Sequence, residues 1–181
     1  MIKNMSLFIC LIVSSALFSQ KMITRSGEIK FEATTSFEEI AAKNNTASCL
    51  FDVATGEMAV LALVKGFRFK IPLMEEHFNE NYIESDQFPK ATFKGKVADF
   101  VASKVTATKS TFDIEGDLTV HGITKKVKSK ITFVQSGEKL IASCNFKIKN
   151  ADYDIKIPSV VKNKIAESVA IDLKFELEKK L

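Results

Sequence analysis

The sequence predicts an all-β protein, an antiparallel barrel or sandwich of about eight strands with one or two short helices. From Gly27 onward, apolar and polar residues alternate, which is the period-two pattern of strands with one dry face and one wet face. Short turn signals such as His121-Gly122 and Ser136-Gly137 separate the runs. The prolines fall at boundaries between runs, where strand pairing tolerates them: Pro72, Pro89 and Pro158.

Residues 1–20 have the layout of a secretory signal peptide. Lys3 precedes an uncharged apolar run from Leu7 to Phe18, and small and polar residues follow. The run is shorter than the roughly 20 apolar residues that a membrane helix needs. We therefore expect a signal peptide at residues 1–20 and one barrel domain at residues 21–181, exported to the periplasm or secreted.

Eight stretches account for the predicted strands. The clearest is residues 112–120, where apolar residues and glycine alternate with charged or hydroxyl side chains. The first part of residues 57–71 is apolar at both odd and even positions, so part of this strand should be covered on both of its faces. The others are residues 29–33, 47–53, 91–97, 127–133, 140–148 and 169–177.

Two stretches look helical. Residues 37–43, FEEIAAK, follow Ser36, an N-cap residue type, and Glu39 three positions on makes a capping box plausible. Residues 72–82, PLMEEHFNENY, open on proline and place Met74, Phe78 and Tyr82 on one face. Such a short helix is marginal alone, so we expect this face to dock on the open end of the barrel.

The charged residues indicate which face of each strand meets water. One parity carries several charges per strand, for example Asp113, Glu115 and Asp117. A charge facing lipid at mid-bilayer costs up to about 2 to 4 kcal/mol, so a membrane barrel cannot present this face to lipid. We therefore expect a barrel that is dry inside, with no stable membrane insertion. The formal net charge of +4 is too small to predict a nucleic-acid partner.

The interior of such a barrel has two possible contents. An eight-stranded barrel can be filled by side chains or can hold one small ligand. The dry parity mixes phenylalanines with alanines and glycines. A packed core also sets large residues against small ones, so both interiors stay open at this point.

Three further stretches carry a family resemblance. Residues 116–125 read GDLTVHGITK, residues 88–93 read FPKATF after a predicted helix with His77, and residues 150–155 read NADYDI. These stretches resemble the YceI-like family of secreted bacterial proteins, in which a GDLTIHGVTK-type hairpin follows a YPxaxF strand. Asp154 stands where that family commonly has glycine. The resemblance implies an extended, lipocalin-like antiparallel barrel, exported from the cytoplasm, whose apolar pore holds a long isoprenoid or similar lipid.

The expected function follows from the dry interior and the resemblance together. We expect an exported carrier or sequestering protein for an apolar isoprenoid, quinone-like molecule or other lipid, with no other cofactor. The alternative is a filled barrel that acts as a structural or stress-related interaction protein without a ligand. A homodimer is left open. The expected ligand-binding residues are Phe31, Phe51, Met74, Phe78, Phe93, Phe112, Ile114, Phe133, Phe146 and Phe175.

The sequence offers little for catalysis or metal binding. It contains no CxxC, HExxH or nucleophile-elbow motif, so we expect neither an enzyme nor a metal site. His121 is expected in a hairpin turn, with Gly122 at positive φ and the imidazole bonded to backbone. His77 is expected to anchor its helix or to contact a ligand headgroup. Cys49 and Cys144 share the inward parity on non-neighbouring strands, so free buried thiols are expected.

Overall fold

The computed structural model describes residues 21–180, and the predicted signal peptide lies outside them. The strands of this part of the chain are β1 (Lys21–Glu32), β2 (Ala41–Asp52), β3 (Glu57–Leu63), β4 (Arg68–Phe69), β5 (Lys90–Val97), β6 (Ser110–Val120), β7 (Ile123–Ser136), β8 (Lys139–Lys149) and β9 (Ser168–Lys179). Helix α1 (Pro72–His77) continues into a wider π-type turn, Phe78–Tyr82. Short 3-10 turns occupy Val64–Gly66, Ala102–Lys104, Asn150–Tyr153 and Ser159–Val161.

The strands form a closed barrel. Their order is β1-β9-β8-β7-β6-β5-β3-β2, and β2 returns to pair with β1, so eight antiparallel strands complete the ring. The two residues of β4 extend the edge of β2 beyond β3, at Ala42 and Lys43. The predicted all-β, lipocalin-like barrel of about eight strands is confirmed.

The inward and outward faces follow the predicted parity. Phe133, Ala142 and Leu177 face the interior and are fully buried. The charged parity lies outside, where neighbouring strands pair opposite charges across the ladder, as at Lys130 and Asp113, 2.8 Å apart. All helical segments of residues 21–180 are too short or too polar to span a bilayer.

The two ends of the barrel differ. The mouth end carries the β1–β2 loop (residues 33–40), the segment from 64 to 89 with α1, the β6–β7 turn (121–122) and the β8–β9 loop (150–167). The closed end carries the turns at 53–56 and 137–138 and the β5–β6 loop (98–109). The docking of the 72–82 helix at the mouth confirms the expectation from its amphipathic face.

The helix predicted at residues 37–43 is wrong. Strand β2 begins at Ala41, inside the expected helix, and Ala41 pairs with Glu32 of β1. Thr34 closes the preceding loop, because its Oγ1 donates to Ile40 O at 3.2 Å and accepts from Ile40 N at 3.1 Å. A helix of about two turns is marginal in water, so strand pairing overrides the capping-box pattern.

Candidate ligand cavity

An apolar cavity of ≈ 340 Å³ enters the barrel from the mouth. Its wall is built by the inward parity of seven ring strands, all except β2, and its cap by α1 and the mouth loops. This volume lies in the usual range for small-molecule sites, about 300 to 1,000 Å³. The interior is therefore hollow toward the mouth rather than filled throughout.

Seven of the ten residues expected to bind ligand line this cavity. They come from β1, α1 with its π turn, β5, β6, β8 and β9. The strand residues converge because the apolar side chains, at alternate positions of each strand, point into the barrel. The seven are Phe31, Met74, Phe78, Phe93, Ile114, Phe146 and Phe175. That they contact a ligand stays a prediction.

The other three lie below the cavity. Phe51, Phe112 and Phe133 do not line it but pack with Phe100 at the closed end. The ring centroids of Phe51 and Phe133 are 5.1 Å apart, and Phe100 lies 4.9 Å from Phe51 and 5.2 Å from Phe112. We call Phe51, Phe100, Phe112 and Phe133 the floor cluster. Their expected place in the cavity wall is corrected, because aromatic packing closes this end of the pore.

A second aromatic group covers the mouth. Phe31 and Phe78 pack with Phe67 and Phe69, with ring centroids 5.1 to 6.1 Å apart. Sequence reasoning missed Phe67 and Phe69, although their alternation around Arg68 was a readable strand signal. Arg68 fixes this group to the helix, since its Nη1 donates to Glu75 Oε1 at 2.7 Å.

The β8–β9 loop supplies cavity residues that sequence reasoning also missed. Ile155, Ile157, Val161 and Ile165 line the mouth from a segment with no regular alternation. Ala166 N donates to Ala33 O at 3.0 Å, which ties this loop to the β1–β2 loop. The mouth is thus bounded by three segments that are distant in sequence.

The acidic, basic and imidazole side chains of the wall lie at the rim. Among the described lining residues, the ionisable groups other than Cys144 and Tyr82 are Glu38, His77 and Lys164. Lys164 Nζ lies 3.7 Å from a Glu38 oxygen, and both side chains are partly exposed. A molecule in the cavity would therefore meet apolar walls in depth and ionic groups only at the opening.

The two cysteines of the described chain are free, as predicted, but only Cys49 is buried and Cys144 is half-buried. Burial raises the pKa of the Cys49 thiol to about 12. Burial also raises the pKa of Cys144, whose thiol donates to Ser129 Oγ at 3.4 Å in the cavity wall. Both thiols therefore stay protonated at neutral pH, where they are weak nucleophiles.

His121 occupies the predicted turn and ties three segments together. It has φ +50° and Gly122 has φ +72°, so both turn residues are left-handed. Its Nδ1 lies 2.9 Å from Tyr153 O and its Nε2 lies 2.8 Å from Glu84 Oε2. The backbone bond expected of the imidazole is confirmed, and the side chain braces the β8–β9 loop against the segment after α1.

Asp154, next to Tyr153, has a backbone conformation that favours glycine. It has φ +52°, in the left-handed region that costs a residue with a Cβ more than glycine. Aspartate tolerates this region better than most residues.

In residues 21–180, no cluster of three or more His, Cys, Asp or Glu side chains could hold a metal ion.

Comparisons with solved structures agree on the architecture. The chain is 14% identical to a polyisoprenoid-binding domain from Saccharophagus degradans, with a TM-score of 0.78 over 89% of this chain and 99% of that chain. It is 16% identical to BcnA of Burkholderia cenocepacia, with a TM-score of 0.70 over 84% and 96% of the two chains. The YCEI protein of Campylobacter jejuni is 17% identical, with a TM-score of 0.59 over 75% and 81%. At these identities the likeness shows the fold.

Sequence comparison gives the family. No curated protein matches the chain. Residues 14–177 match the family model of the YceI-like domain, which confirms the resemblance seen in the hairpin motif. Because this match covers far more than half of the sequence, the chain belongs to the YceI-like domain family.

Proposed function

We propose that this protein binds a long apolar molecule, an isoprenoid, a quinone-like compound or another lipid, in the barrel cavity. The observation that carries the proposal is the one-ended apolar cavity of ≈ 340 Å³. Membership of the YceI-like family supports it, as does the fold shared with a polyisoprenoid-binding domain. The tail would lie against Phe93, Phe146 and Phe175, and a polar end would remain near Glu38 and Lys164.

The energetics of such binding are sufficient without a charged anchor. Each buried methylene contributes about 0.8 kcal/mol, so about ten of them give roughly 8 kcal/mol before association costs. Longer tails reach micromolar or tighter affinity once those costs are subtracted. Because one methylene more or less changes little, we expect weak discrimination between tails of similar length.

We further propose that the protein acts as an exported carrier or sequestering protein and not as an enzyme. Export is supported by the signal-like residues 1–20. The low reactivity expected of the protonated Cys144 thiol in the wall agrees with a binding role. Against the alternative of a filled barrel without ligand stands the cavity itself, since aromatic packing fills only the closed end.

Native mass spectrometry tests the proposal directly. The protein purified from its own cells is measured before and after extraction with organic solvent, and then after a polyprenol or ubiquinone is added back. We expect a mass that falls on extraction and rises again on addition. Equal masses before and after extraction, with neither lipid bound on addition, would contradict the proposal.

A further inference from the structure

The cavity ends at a defined depth inside the barrel. Met58 of β3 lines it and is paired with Phe51 of β2, which does not. In the same way, the wall residue Ala142 of β8 is paired with Phe133 of β7. Phe51 and Phe133 are both 0% exposed, and their rings stack across the pore with centroids 5.1 Å apart. Stacked rings of this kind form a closed layer at the bottom of the cavity.

The barrel is filled beyond this layer. Val97, Leu140 and Leu177 lie nearer the closed end and are 1%, 3% and 0% exposed. Leu140 is opposite Leu177 in the pairing of β8 with β9. These three side chains do not line the cavity. A tail that enters at the mouth is therefore stopped at Phe51 and Phe133, which we call the stop pair.

The volume above the stop pair limits how many carbon atoms fit. An apolar cavity of about 150 Å³ accepts one benzene molecule, which corresponds to about 25 Å³ for each carbon atom. At the same density, the cavity of ≈ 340 Å³ accepts about 14 carbon atoms. A tail with many isoprene units exceeds this volume, so only part of such a tail would lie inside the barrel.

The depth of the wall gives a second limit. On three ring strands the wall extends over residues 114–120, 142–148 and 169–175. Each range covers six steps of about 3.3 Å, and a strand tilt of about 35–45° reduces this length to about 15 Å along the barrel axis. An extended alkyl chain advances about 1.25 Å per carbon, since its bonds of about 1.5 Å meet at about 111°. A chain of about 12 carbons therefore spans the wall.

We propose that the stop pair sets the length of apolar tail that the cavity binds, at about 12 to 15 carbons. This inference rests on the proposed function and names the size of its ligand tail. A chain of three isoprene units meets both limits, with about 15 carbons in total and about 12 along its backbone. Further methylenes of a longer tail remain in water at the mouth, where they contribute little to binding.

A length series tests this limit. Saturated fatty acids of increasing length, kept below the concentration at which they aggregate, compete with a fluorescent polyene fatty acid for the purified protein. The carboxylate is the same throughout, so differences in affinity report on the tail. We expect the affinity to rise about fourfold with each added carbon and then to stop rising at about 12 to 15 carbons. An affinity that keeps rising to about 20 carbons would overturn the inference.

Two substitutions should move the limit in opposite directions. Phe133→Ala removes six carbons from the stop pair, so the limit should lengthen by up to about six carbons. Val127→Phe adds about four carbons to the wall, so the limit should shorten by about four. Urea unfolding shows whether each variant is folded. Val127→Phe decides the matter alone where Phe133→Ala does not fold.

Leu177→Ala is the matched control for Phe133→Ala. It also truncates a fully buried side chain and should lower the free energy of unfolding, but Leu177 lies below the stop pair. Its length limit should equal that of the unsubstituted protein. An unchanged limit in Val127→Phe, or a limit that moves as far in Leu177→Ala as in Phe133→Ala, would overturn the inference.

The length series also separates this inference from the proposed function. Fatty acids that bind with no length limit would refute the role of the stop pair and leave the proposed function standing. A protein that binds none of the acids, and takes up neither polyprenol nor ubiquinone in native mass spectrometry, would contradict the proposed function itself.

Discussion

Val127 offers a direct way to separate ligand binding from folding. Its half-buried side chain lines the cavity from β7, opposite Gly116 of β6. Val127→Phe adds about four carbon atoms to the wall. If each displaces one methylene of bound lipid, about 3 kcal/mol of apolar burial is lost, and affinity falls about 200-fold. Because the added ring enters empty space, the free energy of unfolding should stay equal or rise by about 0.5 to 2 kcal/mol.

The assay combines a binding titration with an unfolding curve. Affinity is measured by displacement of a fluorescent polyene fatty acid, and the free energy of unfolding by urea titration. Val134→Phe is the matched control, because Val134 lies on the same strand with the opposite parity and outside the cavity wall. It should leave affinity unchanged.

Two results would refute the reasoning about Val127. Unchanged affinity in Val127→Phe would mean that lipid binds somewhere other than this cavity. A loss of about 1 to 3 kcal/mol in the free energy of unfolding would mean that the barrel is already packed at this depth, since that is the usual cost of overpacking.

Three further substitutions test the floor, the buried thiol and the turn. Phe100→Ala should lower the free energy of unfolding, measured in urea, by about 3 kcal/mol and leave the ligand affinity unchanged, because the floor cluster lies below the cavity. A loss of affinity without a loss of stability would contradict this placement. The raised pKa of Cys49, about 12, means that the folded thiol keeps a proton that the unfolded thiol loses. The free energy of unfolding should therefore keep its neutral-pH value up to about pH 8.5 and then fall with rising pH, by up to about 1.4 kcal/mol per pH unit relative to Cys49→Ala. Parallel pH profiles of the two proteins would contradict this. His121→Asn keeps a residue that tolerates positive φ but removes the contacts with Glu84 and Tyr153, so we expect a loss of about 1 to 3 kcal/mol and faster hydrogen exchange around both partners; unchanged exchange there would show that the brace is not needed.

The sequence was sufficient for the strands with regular alternation and for their faces, but not for the length of β1 or for the break between β3 and β4. Alternation is a local property, since successive side chains on a strand point to opposite sides whatever the strand pairs with. The runs at 112–120 and 169–177 therefore gave both the strands and their orientation correctly. The run at 37–43 failed because a capping pattern is a weak preference, whereas the pairing of Ala41 with Glu32 depends on a distant partner.

The cavity wall could be predicted only in part, because parity says nothing about depth. Phe133 and Phe146 both point inward, yet Phe133 is fully buried in the floor cluster and Phe146 lines the cavity. Their depth is fixed by the register between β7 and β8, in which Phe133 lies opposite Ala142. The wall residues Ile157 and Val161 come from a loop without periodicity, so no pattern could place them.

Burial along β9 indicates why the hollow does not collapse. Phe175 and Leu177, nearer the closed end, are 2% and 0% exposed, whereas Ile171 and Leu173, nearer the mouth, are only half-buried. The closed ring of hydrogen-bonded strands fixes the diameter, so the side chains near the mouth cannot close the space between them. The apolar area they leave exposed weakens the folded state, and the packed closed half offsets that loss. Stability therefore depends mainly on the closed end of the barrel and binding on the mouth end. Phe100→Ala should lower the free energy of unfolding, whereas Val127→Phe should lower the ligand affinity.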